Sequence, residues 1–290
     1  MQPQKEPSEE ILSTELLATV GHEFRGPLTI IQGYANTLLH HEQHLSLEER
    51  REFLQAIEQA GAHLSTLVDR FLQLAQLETH TFSLALAPVD LAALAHEAMT
   101  AVRKGQSHIL LQESSRTKTG SPGKTGEREQ AVDEDLAISG DRRLLRILLD
   151  LLLENAVAYS APDSLIEIHI RPGNSAHLLT SLHTRADSKM HVALIVPASF
   201  REDEALLEIE VRDHGRGIPP EQFPLIFHRF YRGDTRLTRE VNGLGLGLAL
   251  CQAIVTHHRG MLWVESAVGA GSAFHIVLSR GRTLPDAEVL

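Results

Sequence analysis

The feature that most constrains the fold is a pair of long amphipathic segments near the N-terminus. In the first, apolar residues such as Leu17, Phe24, Leu28 and Ile31 recur at spacings that place them in one stripe along a helix. The second segment repeats this alternation of three and four. Its apolar positions are Leu54, Ile57, Gly61, Leu64, Val68, Phe71 and Ala75.

A turn separates these two helices, and their apolar stripes need a partner. Ser46 is followed three residues later by Glu49, which is the capping-box pattern of a helix start. The resulting hairpin alone leaves much of each stripe in water, whereas two hairpins in a four-helix bundle bury both. We therefore expect a homodimer. The alternative is that the hairpin packs against the rest of its own chain.

The remainder of the chain is predicted to mix helices and strands, which makes the fold class α+β. The segment Glu78–Pro88 lacks the helical stripe and ends at a proline, which favours a domain junction there. We expect a lead-in over residues 1–12, a helical domain over 13–80 and a larger domain over 81–290.

The apolar pattern of the larger domain predicts its elements. Helices are expected at 89–102 and 144–159, the latter opened by Asp141. Strands are expected where apolar residues alternate, at 165–170, 206–211, 261–265 and 273–278, with an edge strand at 192–196. The polar stretches 114–133 and 172–204 are predicted to be loops.

Composition excludes several classes of function. A net charge of −11 opposes binding to a phosphate backbone, so we expect no nucleic-acid partner. No apolar run approaches the roughly 20 residues of a membrane-spanning helix. The single cysteine, Cys251, and the polar start of the chain favour a protein of the reducing cytoplasm.

One histidine among the 17 stands out by its setting on the first helix. The neighbours Val20 and Phe24 belong to the apolar stripe, which places His22 beside it. A neutral imidazole nitrogen can attack phosphorus, and Glu23 can accept the other ring N–H and make that nitrogen more nucleophilic. Pro27 is expected to bend the helix and give room for a docking domain. Taken alone, however, a histidine is more often a surface or packing residue.

Two polar residues interrupt the apolar helix predicted at 144–159. Asn155 and Tyr159 lie four residues apart and so share one helix face. An amide oxygen is a suitable ligand for Mg²⁺, and an aromatic ring can lie against a base. The alternative is a polar edge on a core helix.

A glycine-rich turn follows the strand predicted at 206–211. Asp213 precedes Gly215 and Gly217, and glycine permits a close approach of the backbone. A fixed carboxylate can accept a hydrogen bond from the exocyclic amine of adenine. By itself this pattern also fits an ordinary turn.

A second glycine-rich stretch precedes a helix that is expected to run to His258. Bare backbone N–H groups at Gly243, Gly245 and Gly247 would lie at the helix N-terminus, where phosphate binds. The spacing is neither the Rossmann fingerprint nor the P-loop.

The segment between the two glycine-rich stretches combines aromatic residues with arginines. Its phenylalanines, including Phe227 and Phe230, are expected to pack a lid onto the core. Arg229 and Arg232 are candidate ligands for nucleotide phosphates.

In this order, the motifs resemble those of the sensor histidine kinases of bacterial two-component systems, from about Ser13 to Leu278. His22 and Glu23, with the nearby proline, resemble the phosphoacceptor box of that family, and Asn155 resembles its Asn box.

The glycine-rich and aromatic segments extend the resemblance. Residues 213–217 resemble the first glycine box, 227–230 the Phe box, 243–247 the second glycine box and 269–274 the last glycine element.

The resemblance implies a dimeric helical hairpin followed by an ATP-binding α/β sandwich of the gyrase and Hsp90 type, with an ATP lid at 219–242. It implies ATP- and Mg²⁺-dependent phosphorylation of His22, followed by transfer to an aspartate in the receiver domain of a response regulator. The lead-in is too short for a sensory domain. The signal is therefore expected to arrive through a separate sensor protein, or the chain is a fragment of a longer protein.

Three residues depart from the family pattern. Leu151 stands where relatives commonly have an asparagine, and Ala158 where they often have a lysine. Gly26 replaces a threonine or asparagine that is associated with dephosphorylation of the partner. Gly26 therefore predicts poor dephosphorylation of the partner, whereas Leu151 and Ala158 keep open a dimeric nucleotide-binding scaffold without catalysis. An ATPase of the gyrase or chaperone type is a third hypothesis, but it leaves the His-Glu pair unexplained.

Overall fold

The chain forms two compact units, which comprise Met1–Gln76 with His228–Leu246 and Leu77–Phe227 with Gly247–Leu290. The computed structural model describes residues 7–79, 82–105, 110–115, 136–161, 163–174, 190–198, 200–201, 204–231, 233 and 245–281.

The first unit is built on two long helices. Helix α1 spans Pro7–His41 and continues through Pro27, and α2 spans Leu47–Leu77 after a short 3₁₀ turn. The start of α2 has the predicted capping box. The backbone N–H of Ser46 donates to Glu49 Oε2 at 2.8 Å, and the N–H of Glu49 donates to Ser46 Oγ at 3.2 Å.

The apolar residues of these helices are only partly covered in a single chain. Ala60, Leu67 and Leu74 are buried at intervals of seven residues, as one continuous stripe requires. By contrast, Leu39 is 79% exposed and Leu54 is 58% exposed. The hairpin therefore leaves large apolar side chains uncovered within the monomer.

Within the described residues, the second unit contains a six-stranded sheet and three α-helices. The elements are β1 Ala87–Asp90, α3 Leu91–Gly105, β2 Leu110–Ser115, β3 Ala137–Gly140, α4 Arg142–Tyr159, β4 Leu165–Asn174, β5 His191–Val196, β6 Ala205–Asp213, α5 Gly247–His257, β7 Met261–Ala267 and β8 Gly271–Ser279. The sheet order is β2-β4-β6-β8-β7-β5, with β2 and β4 parallel and the other pairs antiparallel. Strands β1 and β3 form a separate antiparallel pair.

Helix α4 lies at the centre of the helical layer, between α3 and α5, and packs on β4 and β6. Asp141 caps its N-terminus as predicted, since its carboxylate accepts from the N–H groups of Arg143 and Leu144. Eight side chains of α4 are buried, which explains why the sequence of this helix is so apolar. This helix-on-sheet layering agrees with the expected α+β class.

Several predicted boundaries need correction. Helix α3 begins at Leu91 rather than at residue 89, because Val89 pairs with Ile138 of β3. Strands β1, β2 and β3 were not predicted, since each is short or poorly alternating.

Parts of the two stretches that were predicted to be loops belong to strands. Residues 114–115 belong to β2, and 116–135 lie outside the described residues. Within 172–204, β4 continues to Asn174 and β5 forms the predicted edge strand, while 175–189 lie outside the described residues.

No helix in the described part of the chain combines the length and apolar character that crossing a membrane requires.

A network of charged side chains lies on the sheet face opposite the helices. Glu210 is 1% exposed and receives Arg171 Nη1 at 2.6 Å and Arg212 Nε at 2.7 Å. The buried His275 lies directly opposite Glu210 on β8 and donates from Nδ1 to Glu208 at 2.9 Å. Burial raises the pKa of Glu210, but the charges of His275, Arg212 and Arg171 outweigh it and lower the pKa to about 2.

We predict that Glu210→Gln destabilises the second unit by about 2–3 kcal/mol at pH 7, because it removes the partner of two guanidinium groups. Folding lowers the pKa of Glu210, so its stabilising effect is present above pH 4.5 and is lost as the pH falls toward 2. Urea unfolding at pH 7 and pH 3 should show a smaller difference between wild type and variant at pH 3. The exposed Glu221 provides the control Glu221→Gln, which should change stability by less than about 0.5 kcal/mol. If the difference in unfolding free energy between wild type and Glu210→Gln were the same at pH 7 and pH 3, the role assigned to Glu210 would be wrong.

Candidate active site

Three polar side chains form a row across one end of the sheet, on its helix-facing side. Asp213 ends β6, Ser272 lies opposite it on β8, and Ser266 lies opposite Ser272 on β7. All three are at most 5% exposed. The next row on the same face is apolar and includes Val211 and Phe274. Because buried polar side chains need a reason, their grouping at the end of the sheet makes the polar row a candidate site.

Asp213 is held in place by backbone donors. Its Oδ1 accepts from the N–H of Gly215 at 2.8 Å and from the N–H of Ser272 at 3.3 Å. Burial raises the pKa of Asp213, while these hydrogen bonds and the nearby His214 and Arg212 act in the opposite direction. A buried carboxylate with a fixed orientation is suited to accept a hydrogen bond from a ligand.

The first glycine turn packs directly on the end of α4. The carbonyl oxygen of Tyr159 accepts from the N–H of Arg216 at 3.2 Å, and a Cβ at Gly215 would overlap that oxygen. The Arg216 guanidinium lies 4.5 Å from the centroid of the Tyr159 ring. The predicted residues Tyr159, Asp213 and Gly215 are therefore neighbours, and Tyr159 contacts an arginine in the same turn.

The same turn is fixed on its other side by the β7–β8 hairpin. The N–H of Gly269 donates to the carbonyl of Arg216 at 2.7 Å. Gly217 has a φ of 71°, and a Cβ there would overlap the carbonyl oxygen of Ala267. Only glycine meets both conditions, which explains its place in the motif.

Asn155 lies on α4, one turn before Tyr159, and is half-buried. Its Nδ2 is buried and has no hydrogen-bond partner among the described residues. Because a buried amide normally has a partner, this side chain is available to a ligand. Rotation of the amide by half a turn would present its oxygen, the atom that suits Mg²⁺.

Two of the departures from the family pattern lie on the same helix. Leu151 is 3% exposed, and its Cδ2 would be 3.5 Å from a Cβ on Gly247, where α5 begins. It therefore fills the contact between α4 and the start of α5. Ala158 is exposed.

The segment before α5 is described only in part. Phe227 is buried, and its ring packs edge-on against Phe274 with 6.4 Å between centroids. Phe230, at a φ of 63°, donates its N–H to the carbonyl of Gly245 at 3.0 Å. The predicted phosphate ligands Gly243 and Arg232 lie outside the described residues.

The phosphoacceptor candidate lies on α1. The backbone of His22 belongs to this helix, and the prediction for its side chain lies outside what the structure describes. The adjacent Glu23 is half-buried, and Pro27 is buried one turn later. Gly26 is exposed, and a Cβ added there would meet no atom within 4 Å among the described residues beyond its chain neighbours and the nearby backbone of its own helix.

Two family descriptions match the chain in succession. "His Kinase A (phospho-acceptor) domain" matches residues 12–80, and "Histidine kinase-, DNA gyrase B-, and HSP90-like ATPase" matches residues 140–282. The chain belongs to the sensor histidine kinase family.

Curated relatives of the family align with most of the chain. The circadian input-output histidine kinase CikA of Synechococcus elongatus is 30% identical over 267 residues, which cover 90% of this chain and 29% of CikA. The phosphate regulon sensor protein PhoR of Pseudomonas aeruginosa is 28% identical and is matched over 91% of this chain and 49% of PhoR. The chain thus spans about half or less of the length of these relatives.

Solved structures of histidine kinases share the fold. The histidine kinase AdeS of Acinetobacter baumannii has a TM-score of 0.57 at 20% identity, covering 90% of this chain and 98% of AdeS. The histidine kinase ThkA, solved in complex with the response regulator protein TrrA, has a TM-score of 0.60 at 21% identity, covering 95% of this chain and 64% of that chain.

Sequence reasoning missed three residues of this candidate site. Ser266 and Ser272 complete the polar row with Asp213, and Arg216 contacts Tyr159. The sequence does contain a signal for the two serines. Both interrupt the apolar pattern of β7 and β8 at the strand ends next to the last glycine element.

We predict that Asp213→Asn leaves the second unit at least as stable as wild type at pH 7 but weakens ATP binding tenfold or more. Folding raises the pKa of Asp213, so any stabilisation from this group is present below about pH 3.8 and is lost as the pH rises through the raised pKa. Asparagine carries no charge and so avoids that loss of stability. Its Nδ2, however, is a hydrogen-bond donor and would face the amine of adenine, which is also a donor. This mismatch should cost about 1.4 kcal/mol or more of the free energy of ATP binding.

Thermal unfolding between pH 5 and 8 and titration with a fluorescent ATP analogue test both parts of this prediction. The exposed Asp163 has a φ of 65°, which asparagine also tolerates, so Asp163→Asn is the matched control. Unchanged nucleotide affinity in Asp213→Asn would contradict the assignment.

Proposed function

We propose that this chain is a protein histidine kinase that phosphorylates His22 from ATP and passes the phosphoryl group to an aspartate of a response regulator. The observation that carries the proposal is the succession, within one chain, of a phosphoacceptor domain and an ATPase domain of the histidine kinase type. ThkA, which has the same fold, is known in complex with a response regulator.

The adenine of ATP is proposed to bind at the polar row. Asp213 accepts from the exocyclic amine, with its other contacts already made to backbone N–H groups. The glycine turn at 215–217 brings the backbone close to the base. The N-terminus of α5, which starts at Gly247, supplies backbone N–H groups for the phosphates, together with Gly243, Gly245 and Arg232.

Asn155 is proposed to hold the Mg²⁺ that accompanies ATP, since its buried amide lacks a partner among the described residues. When bound, this ion neutralises charge that develops on the phosphates during transfer. Leu151 packs against α5 and has no group for a metal, so Asn155 serves without the second amide common in relatives.

His22 is proposed to act as the nucleophile. An imidazole nitrogen forms a bond to the γ-phosphorus as the bond to ADP breaks, and Glu23 accepts the proton of the other ring nitrogen. The phosphohistidine then gives its phosphoryl group to a carboxylate oxygen of the partner aspartate, which regenerates the imidazole.

The proposed kinase is a homodimer that receives its signal from a separate sensor or from further sequence. The exposed leucines of α1 and α2 would be buried in a four-helix bundle with a second copy. A cytoplasmic location supplies the ATP and fits the buried thiol of Cys251, which forms no disulfide.

We predict that His22→Gln abolishes incorporation of labelled phosphate from Mg²⁺ and ATP, because glutamine offers no nucleophilic nitrogen. Mass spectrometry under alkaline conditions, which preserve phosphohistidine, should place the label on residue 22 of the wild type. The exposed His40, also on α1, provides the control His40→Gln, which should retain the label. A wild type that binds ATP without incorporating phosphate would instead support the nucleotide-binding scaffold.

We predict that Leu54→Asp shifts the protein from dimer to monomer at micromolar concentration, because a charge would have to be buried in the bundle. The neighbouring Gln55 is exposed and polar, so Gln55→Asp adds the same charge one position away and should remain dimeric. Light scattering gives the molar mass of each variant. A monomeric wild type would refute the bundle, as would a dimeric Leu54→Asp.

A further inference from the structure

Ser266 is a completely buried hydroxyl at the end of the polar row, 0% exposed and outside every motif that the sequence identifies. Three hydrogen-bonding groups surround its Oγ. The carbonyl oxygen of Gly271 and the N–H of Ile218 each lie at 2.8 Å, and Ser272 Oγ lies at 3.1 Å.

The chemistry of these partners fixes the direction of every bond. A carbonyl oxygen only accepts, so the single proton of Ser266 points to Gly271. A backbone N–H only donates, so Ser266 Oγ accepts from Ile218. The bond between the two serines therefore uses the proton of Ser272.

This arrangement leaves Ser272 with no proton for any other partner. Its oxygen can contact a bound base only as an acceptor, and the neighbouring carboxylate of Asp213 also only accepts when ionised. The exocyclic amine of adenine carries two N–H donors that match two acceptors. Hypoxanthine and guanine carry a carbonyl oxygen at the same ring position, which two acceptors would repel.

We infer that Ser266 is a positioning residue that selects adenine by holding Ser272 as a hydrogen-bond acceptor. The inference rests on the proposed function, because it concerns the base of the bound ATP. Through Ile218, which follows Gly217, the same hydroxyl also fixes the first glycine turn. Loss of the contact with Ile218 alone would weaken the binding of all purine nucleotides alike. Loss of the contact with Ser272 would instead change the preference for one purine base over another.

The test is the ratio of ITP to ATP dissociation constants for the full chain, measured by competition with a fluorescent ATP analogue. In Ser266→Ala, the proton of Ser272 is released and can be donated to the carbonyl of hypoxanthine. We expect the preference for ATP to fall about tenfold, the value of one hydrogen bond. An unchanged ratio in this variant overturns the inference, even if both nucleotides bind more weakly.

Two further variants separate this effect from a general change in the sheet. Ser266→Thr keeps the hydroxyl and should retain the wild-type ratio. Ser279 on β8 is also buried, and its Oγ has no hydrogen-bond partner among the described residues, so Ser279→Ala should leave the ratio unchanged. A shift in Ser279→Ala as large as that in Ser266→Ala would refute the specific role.

Thermal unfolding verifies that each variant is folded, and Ser266→Cys, with its weaker thiol donor, replaces the alanine variant if that one unfolds. A wild type that binds no ATP refutes the proposed function itself. A wild type that binds ATP and ITP equally refutes only the inference.

Discussion

The structure of the candidate site depends on one energetic constraint, the burial of a carboxylate at the end of β6. An ionised group in this position is costly unless donors are supplied, and Asp213 receives them from the backbone of Gly215 and Ser272. Both donors lie in segments that meet at the end of the sheet, the first glycine turn and the start of β8. The glycines next to them allow the backbones to come close enough to provide these bonds.

The same constraint links helix α4 to the site. Its last residue, Tyr159, accepts a hydrogen bond from the glycine turn through its carbonyl oxygen, so the position of the turn depends on where the helix ends. Asn155, one turn earlier, therefore has a defined position relative to Asp213. The buried apolar side chains along α4 pack into the core and hold the helix in this position.

Much of this architecture was readable from the sequence, and the reasons are local. The capping box at Ser46, the cap at Asp141 and the strands with regular alternation rest on contacts between residues close in the chain. Strands β1 and β3 were missed because each has only four residues and exists through pairing with the other. Ser266 was missed for a related reason, since it lies 48 positions from its partner Ile218 and the two meet only after the sheet has formed.

The face of the sheet opposite the helices has a practical consequence for spectroscopy. The chain contains a single tryptophan, and Trp263 is fully buried there, stacked on His275 with 4.7 Å between ring centroids. Its emission therefore reports on the second unit, whereas far-ultraviolet circular dichroism also reports on the two long helices of the first. Melting curves recorded with the two probes on one unlabelled sample would show whether the units unfold together or separately.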